Sequence, residues 1–514
     1  MEPEPTPSGA PPVSLAARAS QAVVWNLVLV PVQAAVTLVA AALVARRLTL
    51  PEYAAYSLAM STIAAIVLCS DLGLSATISR FTPLLRESGA PALRRFVRRA
   101  SAVRLAVMAA LMIAAAAAGR VPALAPVIPF AGRDLLLLLA AGALQGLSRI
   151  QEYLLGGLLD RGGIGALRVV VALAQPALVI TALALDLGVR GILAALLLAA
   201  ALELALFARR AASVLRRTGH EGGAAEPGLP RRTVQFAAVS FAEKTASYLG
   251  SSGFVIFLLA GLGRPAEVPY FAVAGEFAAR VLAGLTIPFA GIVLPVLATL
   301  EARARPQEAA RAVRLHLLVL LLVVLPSAGL LAALAEELVT LVYSAKFLPA
   351  VPILQVLVPL LFAEYVFYAA LLPALLTRER YRDVLLSKVP VLVGTAAAAL
   401  VIPGAGAIGA AAAYGLARVV SAVFLYVASA REFRFRFPAR FAAKVLAATA
   451  VGVVVALVLR GPWAQGGAWP LALAAAGGAA FFVVYRALGG MAAEDREQLS
   501  RGTPAFERVF TYLL

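Results

Sequence analysis

Apolar residues recur in this chain in runs of about twenty, fourteen times over. A bilayer's hydrocarbon core is about 30 Å thick, and about 20 helical residues cross it with every backbone N–H and C=O satisfied inside the segment. The runs lie at roughly 21–45, 54–79, 101–119, 134–159, 167–186, 189–208, 234–261, 269–299, 315–335, 350–377, 384–402, 406–430, 441–459 and 468–486. The hairpins at 186–190 and 403–406 are the tightest of the connections between them. A water-soluble globule of 514 residues needs more polar surface than 14% charged and 62% hydrophobic residues supply. The expectation is an all-α polytopic membrane protein with about fourteen transmembrane helices.

The basic residues orient these helices. With the N-terminus inside, most of the 45 Lys and Arg fall in inside segments such as Arg94-Arg95-Phe96-Val97-Arg98-Arg99, and outside loops carry at most two. That alternation is the positive-inside bias, and it makes both termini cytoplasmic. The net charge of +18 therefore belongs to one membrane face, where it meets anionic lipid, and no nucleic-acid partner is expected. Trp25, Trp463 and Trp469 stand at the ends of apolar runs, where indoles favour the interface. The stretch 1–20 lacks a basic n-region and a small-residue cleavage site, so the first apolar helix is expected to be retained.

One cysteine, Cys69, and two histidines, His220 and His316, can build neither a disulfide framework nor a metal centre. No Walker motif is present, and no outside loop is long enough for a catalytic domain. No metal, no cofactor and no enzymatic activity are expected.

An internal repeat recurs at an offset of about 217 residues. Leu154-Leu155-Gly156-Gly157-Leu158-Leu159-Asp160-Arg161 aligns with Leu371-Leu372-Pro373-Ala374-Leu375-Leu376-Thr377-Arg378. Glu52 aligns near Glu267, and Gly188 and Gly191 near Gly406 and Gly409. An even number of helices per repeat gives both halves the same orientation, as in parallel-repeat transporters. The expected organisation is a disordered cytoplasmic segment 1–19, an N-lobe at 20–210, a cytoplasmic linker at 211–232, a C-lobe at 233–430, two extra helices within 431–488 and a cytoplasmic tail at 489–514.

Ionisable side chains at membrane depth cost about 2.5–3.5 kcal/mol each on insertion scales, so each asks for a partner or a function. Gln145, Ser148, Arg149, Glu152 and Gly156 share a face of the fourth helix, and Ser240, Lys244, Ser247 and Ser251 share one of the seventh, with Glu243 beside it. Glu276 and Arg280 stand four apart in the eighth, and Arg418 lies in the twelfth. Asn26, Gln33 and Thr37 form a polar stripe on the first helix. Arg149, Glu152, Lys244, Arg280, Arg418, Glu276, Asn26 and Gln33 are the candidates for lining a central, substrate-holding cavity. Asp71, Glu364, Glu203 and Glu243 are candidates for ion coupling to H+, Na+ or membrane potential. Asp71 and Glu364 lead that set, having no obvious partner on their own helix. Packing pairs are the competing explanation for all of them, above all for Glu152 beside Arg149 and Glu276 beside Arg280. Pro31 and Gly250-Ser251-Ser252-Gly253 interrupt the first and seventh helices, which are repeat mates. Paired interruptions of this kind point to a transporter's substrate-facing elements. The basic-aromatic run Arg431-Glu432-Phe433-Arg434-Phe435-Arg436-Phe437 reads as a lipid-interface anchor.

Several segments carry a resemblance. Leu50-Pro51-Glu52-Tyr53-Ala54-Ala55-Tyr56-Ser57-Leu58-Ala59 with Asp71-Leu72-Gly73-Leu74, Tyr270-Phe271-Ala272-Val273-Ala274, Leu341-Val342-Tyr343-Ser344-Ala345-Lys346-Phe347 and Gly406-Ala407-Ile408-Gly409-Ala410-Ala411 are similar to the multidrug/oligosaccharidyl-lipid/polysaccharide (MOP) exporter superfamily. Within it they resemble the polysaccharide, O-antigen or Wzx-like, flippases, over about residues 20–430. The resemblance implies two six-helix lobes around a central cavity. It further implies alternating access that moves a polyprenyl-diphosphate-linked oligosaccharide from the cytoplasmic to the outer leaflet of a bacterial or archaeal cytoplasmic membrane. Membrane lipids and a glycan polymerase or other polysaccharide assembly proteins are the implied partners. A lipid II flippase and a cation-coupled multidrug exporter are the alternatives within the superfamily. A membrane glycan polymerase or ligase is the alternative outside it, disfavoured by the short outer loops.

Overall fold

The helices follow the apolar runs, and several extend beyond them. In the computed structural model the described residues are 32–492, apart from 33, 88–89, 119–129, 131, 159, 218–228, 303–305, 379 and 461–468. They form α1 (34–47), α2 (Leu50–Asp71), α3 (Leu74–Glu87), α4 (Ala90–Ala118), α5 (Gly132–Gly157), α6 (Arg161–Ala184), α7 (Gly188–Arg217), α8 (Leu229–Leu249) and α9 (Ser252–Gly261). They continue as α10 (Val268–Ala302), α11 (Pro306–Ala333), α12 (Ala335–Val342), α13 (Val351–Thr377), α14 (Tyr381–Leu386), α15 (Val389–Phe433), α16 (Ala439–Val458) and α17 (Trp469–Ala487). No strand occurs among the described residues, and nine helical segments there are long and apolar enough to cross a membrane. Where they are described, the fourteen apolar runs are helical apart from short breaks.

Several breaks divide the runs. A straight helix over 381–433 would extend about 80 Å at about 1.5 Å per residue, far beyond one bilayer. It folds back at Gly406, whose φ of 58° is left-handed, and Gly188 at the matching repeat position has φ 60°. Glu267 fills the space a Gly406 side chain would need and accepts the Ala407 N–H at 2.5 Å, capping the returning helix. At the repeat-related position Glu52 accepts the Thr49 N–H and hydroxyl, both at 2.8 Å, in a capping box that starts α2. The interruption expected at 250–253 separates α8 from α9, with Ser251 Oγ accepting the Phe254 N–H at 3.3 Å. A second break, at Leu72 and Gly73, splits a run expected to be one continuous helix.

Two helix groups pack separately and then meet. α2 to α7 assemble around α5 and α7, while α10, α11, α13 and α15 assemble around α13. α16 and α17 pack on each other and on α11, their backbones touching at Gly452 and Gly477. The groups meet where α2 contacts α8, α9 and α10, and where α3 contacts α8. Residues 211–217, placed in the expected linker, are helical. α7 continues through Arg217, and its extension buries Ala211 with Val214 and Leu215 against Phe81, Leu93 and Phe207. Residues 1–19, Trp25, Asn26, Pro31, Gln33, His220, Trp463 and most of the tail from 489 lie outside the described residues.

Candidate functional site

Two cavities open between the helix groups. The smaller, about 460 Å³, takes Asp71 and Met60 from α2, Ser75 from α3, Arg104 from α4, Gln145, Arg149 and Tyr153 from α5, Gln175 from α6 and Lys244 from α8. The larger, about 550 Å³, takes Thr37 from α1, Tyr56, Ser57 and Ser61 from α2, Tyr248 and Ser251 from the α8–α9 break, and Glu276 and Arg280 from α10. Met60, Ala64 and Gln175 belong to both walls, so the two are adjoining parts of one central space.

The smaller cavity is lined by three cations and one carboxylate. Asp71 Oδ1 accepts from Arg104 at 2.9 Å, Oδ2 accepts from Lys244 at 2.8 Å, and the Ser75 hydroxyl also bonds Oδ1. Arg104 is wholly buried and gives a further bond to the Val67 carbonyl at 2.7 Å, satisfying the C-terminal end of α2. Arg149 pairs with Glu152 at 2.7 Å, and Glu152 also pairs with Arg168 from α6. Glu203 from α7 accepts the Ser148 hydroxyl at 3.1 Å. In the larger cavity Arg280 and Glu276 pair within α10, and the Tyr53 hydroxyl approaches Glu276 at 3.5 Å.

Asp71 and Glu364, singled out for having no partner on their own helix, each have one on another. Asp71 takes two, and Glu364 pairs with Arg418 from α15. Spacing along one helix is silent about partners on neighbouring helices. Arg418 lines neither cavity. It bonds the Gly250 carbonyl at the end of α8 and lies 4.4 Å from the Tyr414 ring centre. Glu243 faces away from its neighbour Lys244 in partnership, pairing with Lys388 at 3.4 Å inside its own group and bonding Ser247 at 2.9 Å. Arg104, Arg168 and Lys388 were not singled out from the sequence. They stand near the ends of apolar runs among the flanking basic residues, and only the length of the helices draws them in.

At the end where α1 turns into α2 the groups are pinned together. Arg46 donates to the Val342 carbonyl at 2.9 Å and to that of Leu341, while Lys346 donates to the carbonyls of Arg46 at 3.0 Å and Leu48 at 2.6 Å. Tyr53 and Phe347 stack edge to face beside them at 5.2 Å. Along α3 and α8, Gly73 lies so close to the Ala237 carbonyl that a Cβ there would sit 2.0 Å from its oxygen. Arg80 covers the Phe236 ring at 4.5 Å.

Residues 43–352, which include the N-terminal group and the α8 to α10 side of the cavity, match the family model described as "Polysaccharide biosynthesis protein". The chain belongs to this polysaccharide biosynthesis protein family. No curated protein matches it. Among solved structures it is similar to the lipid II flippase MurJ in an inward closed conformation, at a TM-score of 0.63 and 13% identity over 91% of this chain and 99% of that one. It is also similar to an inward-facing multidrug resistance MATE family transporter of the MOP superfamily, at 0.55 and 15% identity over 80% and 98% of the two chains. A MATE transporter of Vibrio cholerae aligns at 0.52 and 16% identity over 82% and 98%. At such identities these likenesses concern the fold: this family member is a multi-pass membrane protein, all-helical among its described residues, whose fold is similar to that of the lipid II flippase and the MATE transporters.

Proposed function

We propose that this family member is a flippase that carries a polyprenyl-diphosphate-linked oligosaccharide from the cytoplasmic to the outer leaflet of the cytoplasmic membrane by alternating access, with both termini in the cytoplasm. The observation that carries the reading is the convergence of Arg104, Arg149 and Lys244 on one cavity that holds a single carboxylate, Asp71. A diphosphate is compact and multiply charged, and guanidinium forks bind phosphate oxygens through paired, charge-assisted hydrogen bonds. In the adjoining space Arg280, paired with Glu276, stands beside Thr37, Ser57, Ser61 and Gln175, whose hydroxyl and amide groups suit sugar hydroxyls. The prenyl tail would remain in lipid at the seam between the helix groups, since its transfer into a polar cavity is opposed by the hydrophobic effect.

Energy coupling to H+, Na+ or membrane potential belongs to the same proposal. Of the four carboxylates considered for it, Asp71, Glu364 and Glu243 sit in ion pairs. Glu203 is buried, is held by the Ser148 hydroxyl and has no ion-pair partner among the described residues, which makes it the carboxylate best suited to exchange a proton. The delivered product would pass to a glycan polymerase or another polysaccharide assembly protein.

Reconstituted vesicles containing a fluorescent polyprenyl-diphosphate-linked oligosaccharide test the reading. Wild-type protein is expected to expose the lipid to an external quencher or glycosidase faster than empty vesicles, and Arg149→Ala/Arg280→Ala protein more slowly than wild type. A parallel arm with lipid II separates the two lipid-linked substrates. Equal rates for wild-type, variant and empty vesicles would overturn the assignment.

A further inference from the structure

Asp71 stands where a transported anion could stand. Its two oxygens divide two cations between them, and the two are held in different ways. Arg104 is wholly buried and also bonds the Val67 carbonyl and, at 3.3 Å each, the Ser70 and Ser75 hydroxyls. It keeps its place whatever else Asp71 does. Lys244 has a side chain about a quarter exposed to the cavity, and Asp71 is its one hydrogen-bonding partner among the described residues. Among the described residues it also lies over the face of Tyr153, 5.3 Å away.

The two cations also belong to different parts of the molecule. Asp71 and Arg104 lie on α2 and α4 of the N-terminal group, whereas Lys244 lies on α8, which enters the other group. The Lys244–Asp71 bond is thus a contact between the groups, made at the cavity wall next to Arg149. Next to it on α8, Glu243 grips Lys388 on the opposite side, so consecutive residues tie α8 in two directions.

We infer that Asp71 is a resident counterion, which docks Lys244 while the cavity is empty and yields it to a phosphate or diphosphate group of the cargo, so that anion binding breaks this contact between the helix groups. The inference rests on the proposed anion-carrying role of the cavity. The released Lys244 joins Arg149 on the anion, and Asp71 remains neutralised by Arg104. A ligand shifts a conformational equilibrium only by binding one state more tightly than the other, and Lys244 is where that difference arises. Linkage then runs both ways: weakening the Asp71 contact must strengthen anion binding.

Inorganic pyrophosphate is the probe. In detergent-solubilised full-length Cys69→Ser protein, calorimetry reads its affinity, and nitroxides at Arg98 and Val239 read the separation of α4 and α8. Asp71→Asn is expected to bind pyrophosphate at least about fivefold more tightly than wild type, within the range typical of coupled sites. Its label distances without ligand should match those of wild type with pyrophosphate. Lys244→Gln should show the same ligand-free distances while binding pyrophosphate more weakly, and Lys244→Arg should restore wild-type behaviour. If Asp71→Asn does not fold, Lys244→Gln carries the test, and wild-type distances in that variant overturn the inference. Equal or weaker pyrophosphate binding by folded Asp71→Asn overturns it as well. Wild-type protein that flips a lipid-linked glycan but shows no pyrophosphate binding defeats the counterion and leaves the flippase. The expected pyrophosphate responses without any flipping defeat the flippase and leave the counterion.

Discussion

Glu152 holds two arginines from adjacent helices with its side chain almost entirely hidden, while theirs remain two-fifths exposed or more. Arg104 with Asp71 is the deeper pair, hidden on both sides. Removing one partner of such a pair strands the other in a medium that solvates charge poorly, at a cost of about 3–5 kcal/mol. Arg104→Met leaves Asp71 paired with Lys244 alone and is expected to destabilise the folded protein by less than that full cost, measured as a loss of thermal stability in detergent, and Arg168→Met by less again because water reaches that side chain. Glu203→Gln keeps the Ser148 contact and removes the charge. If the proposed proton exchange runs through Glu203, this variant should fold normally and lose the dependence of transport on an imposed pH gradient. At this scale the sequence singled out Asp71, Glu152 and Glu203, which are buried, but passed over Arg104 and Lys388, and it said less still about which charges pair. The partners of Asp71 are 33 and 173 positions away, and neither separation leaves a trace in the spacing of one helix.

Helix positions were legible because a bilayer demands about twenty apolar residues from each crossing, a signal that no soluble context imitates. The break at Leu72 and Gly73 was not, since two turn residues inside an apolar run leave its hydropathy unchanged. The short helices α12 and α14 escaped for the reverse reason, being too brief to form a run. Glycine geometry tests these elements directly. Gly73 has φ 75° and lies against the Ala237 carbonyl, so Gly73→Ala must move α3 from α8 as well as strain the backbone. It is expected to cost more stability than Gly188→Ala, where φ is equally left-handed but the space beside it is open. Thermal melts of the two variants side by side check the order. Gly406→Ala should resemble Gly73→Ala, because Glu267 must leave the cap it makes at Ala407.

Among the described residues the polar contacts that join the two helix groups include Lys244 with Asp71 and Tyr248 with the Ser61 carbonyl at the cavity, and the Arg46 and Lys346 bonds to main-chain carbonyls where α1 meets α2. The proposed alternating access needs contacts of this kind, firm enough to define a state and few enough to exchange. Arg46→Gln/Lys346→Gln is expected to weaken closure at that end. In a Cys69→Ser background, a cysteine at Tyr53 should then react with a membrane-impermeant thiol reagent several times faster than with the pin intact. Unchanged reactivity would show that this end stays closed without the pin. The repeat that relates the two halves was readable from a shared offset, but a seam built from residues of both halves has no periodic signature. The pin has one more property. Both of its cations grip main-chain carbonyls, and every residue offers the same carbonyl whatever its side chain. Positions 48, 341 and 342 can therefore vary among related sequences without losing these hydrogen bonds, and a search for correlated substitutions would pass over this tie between the helix groups.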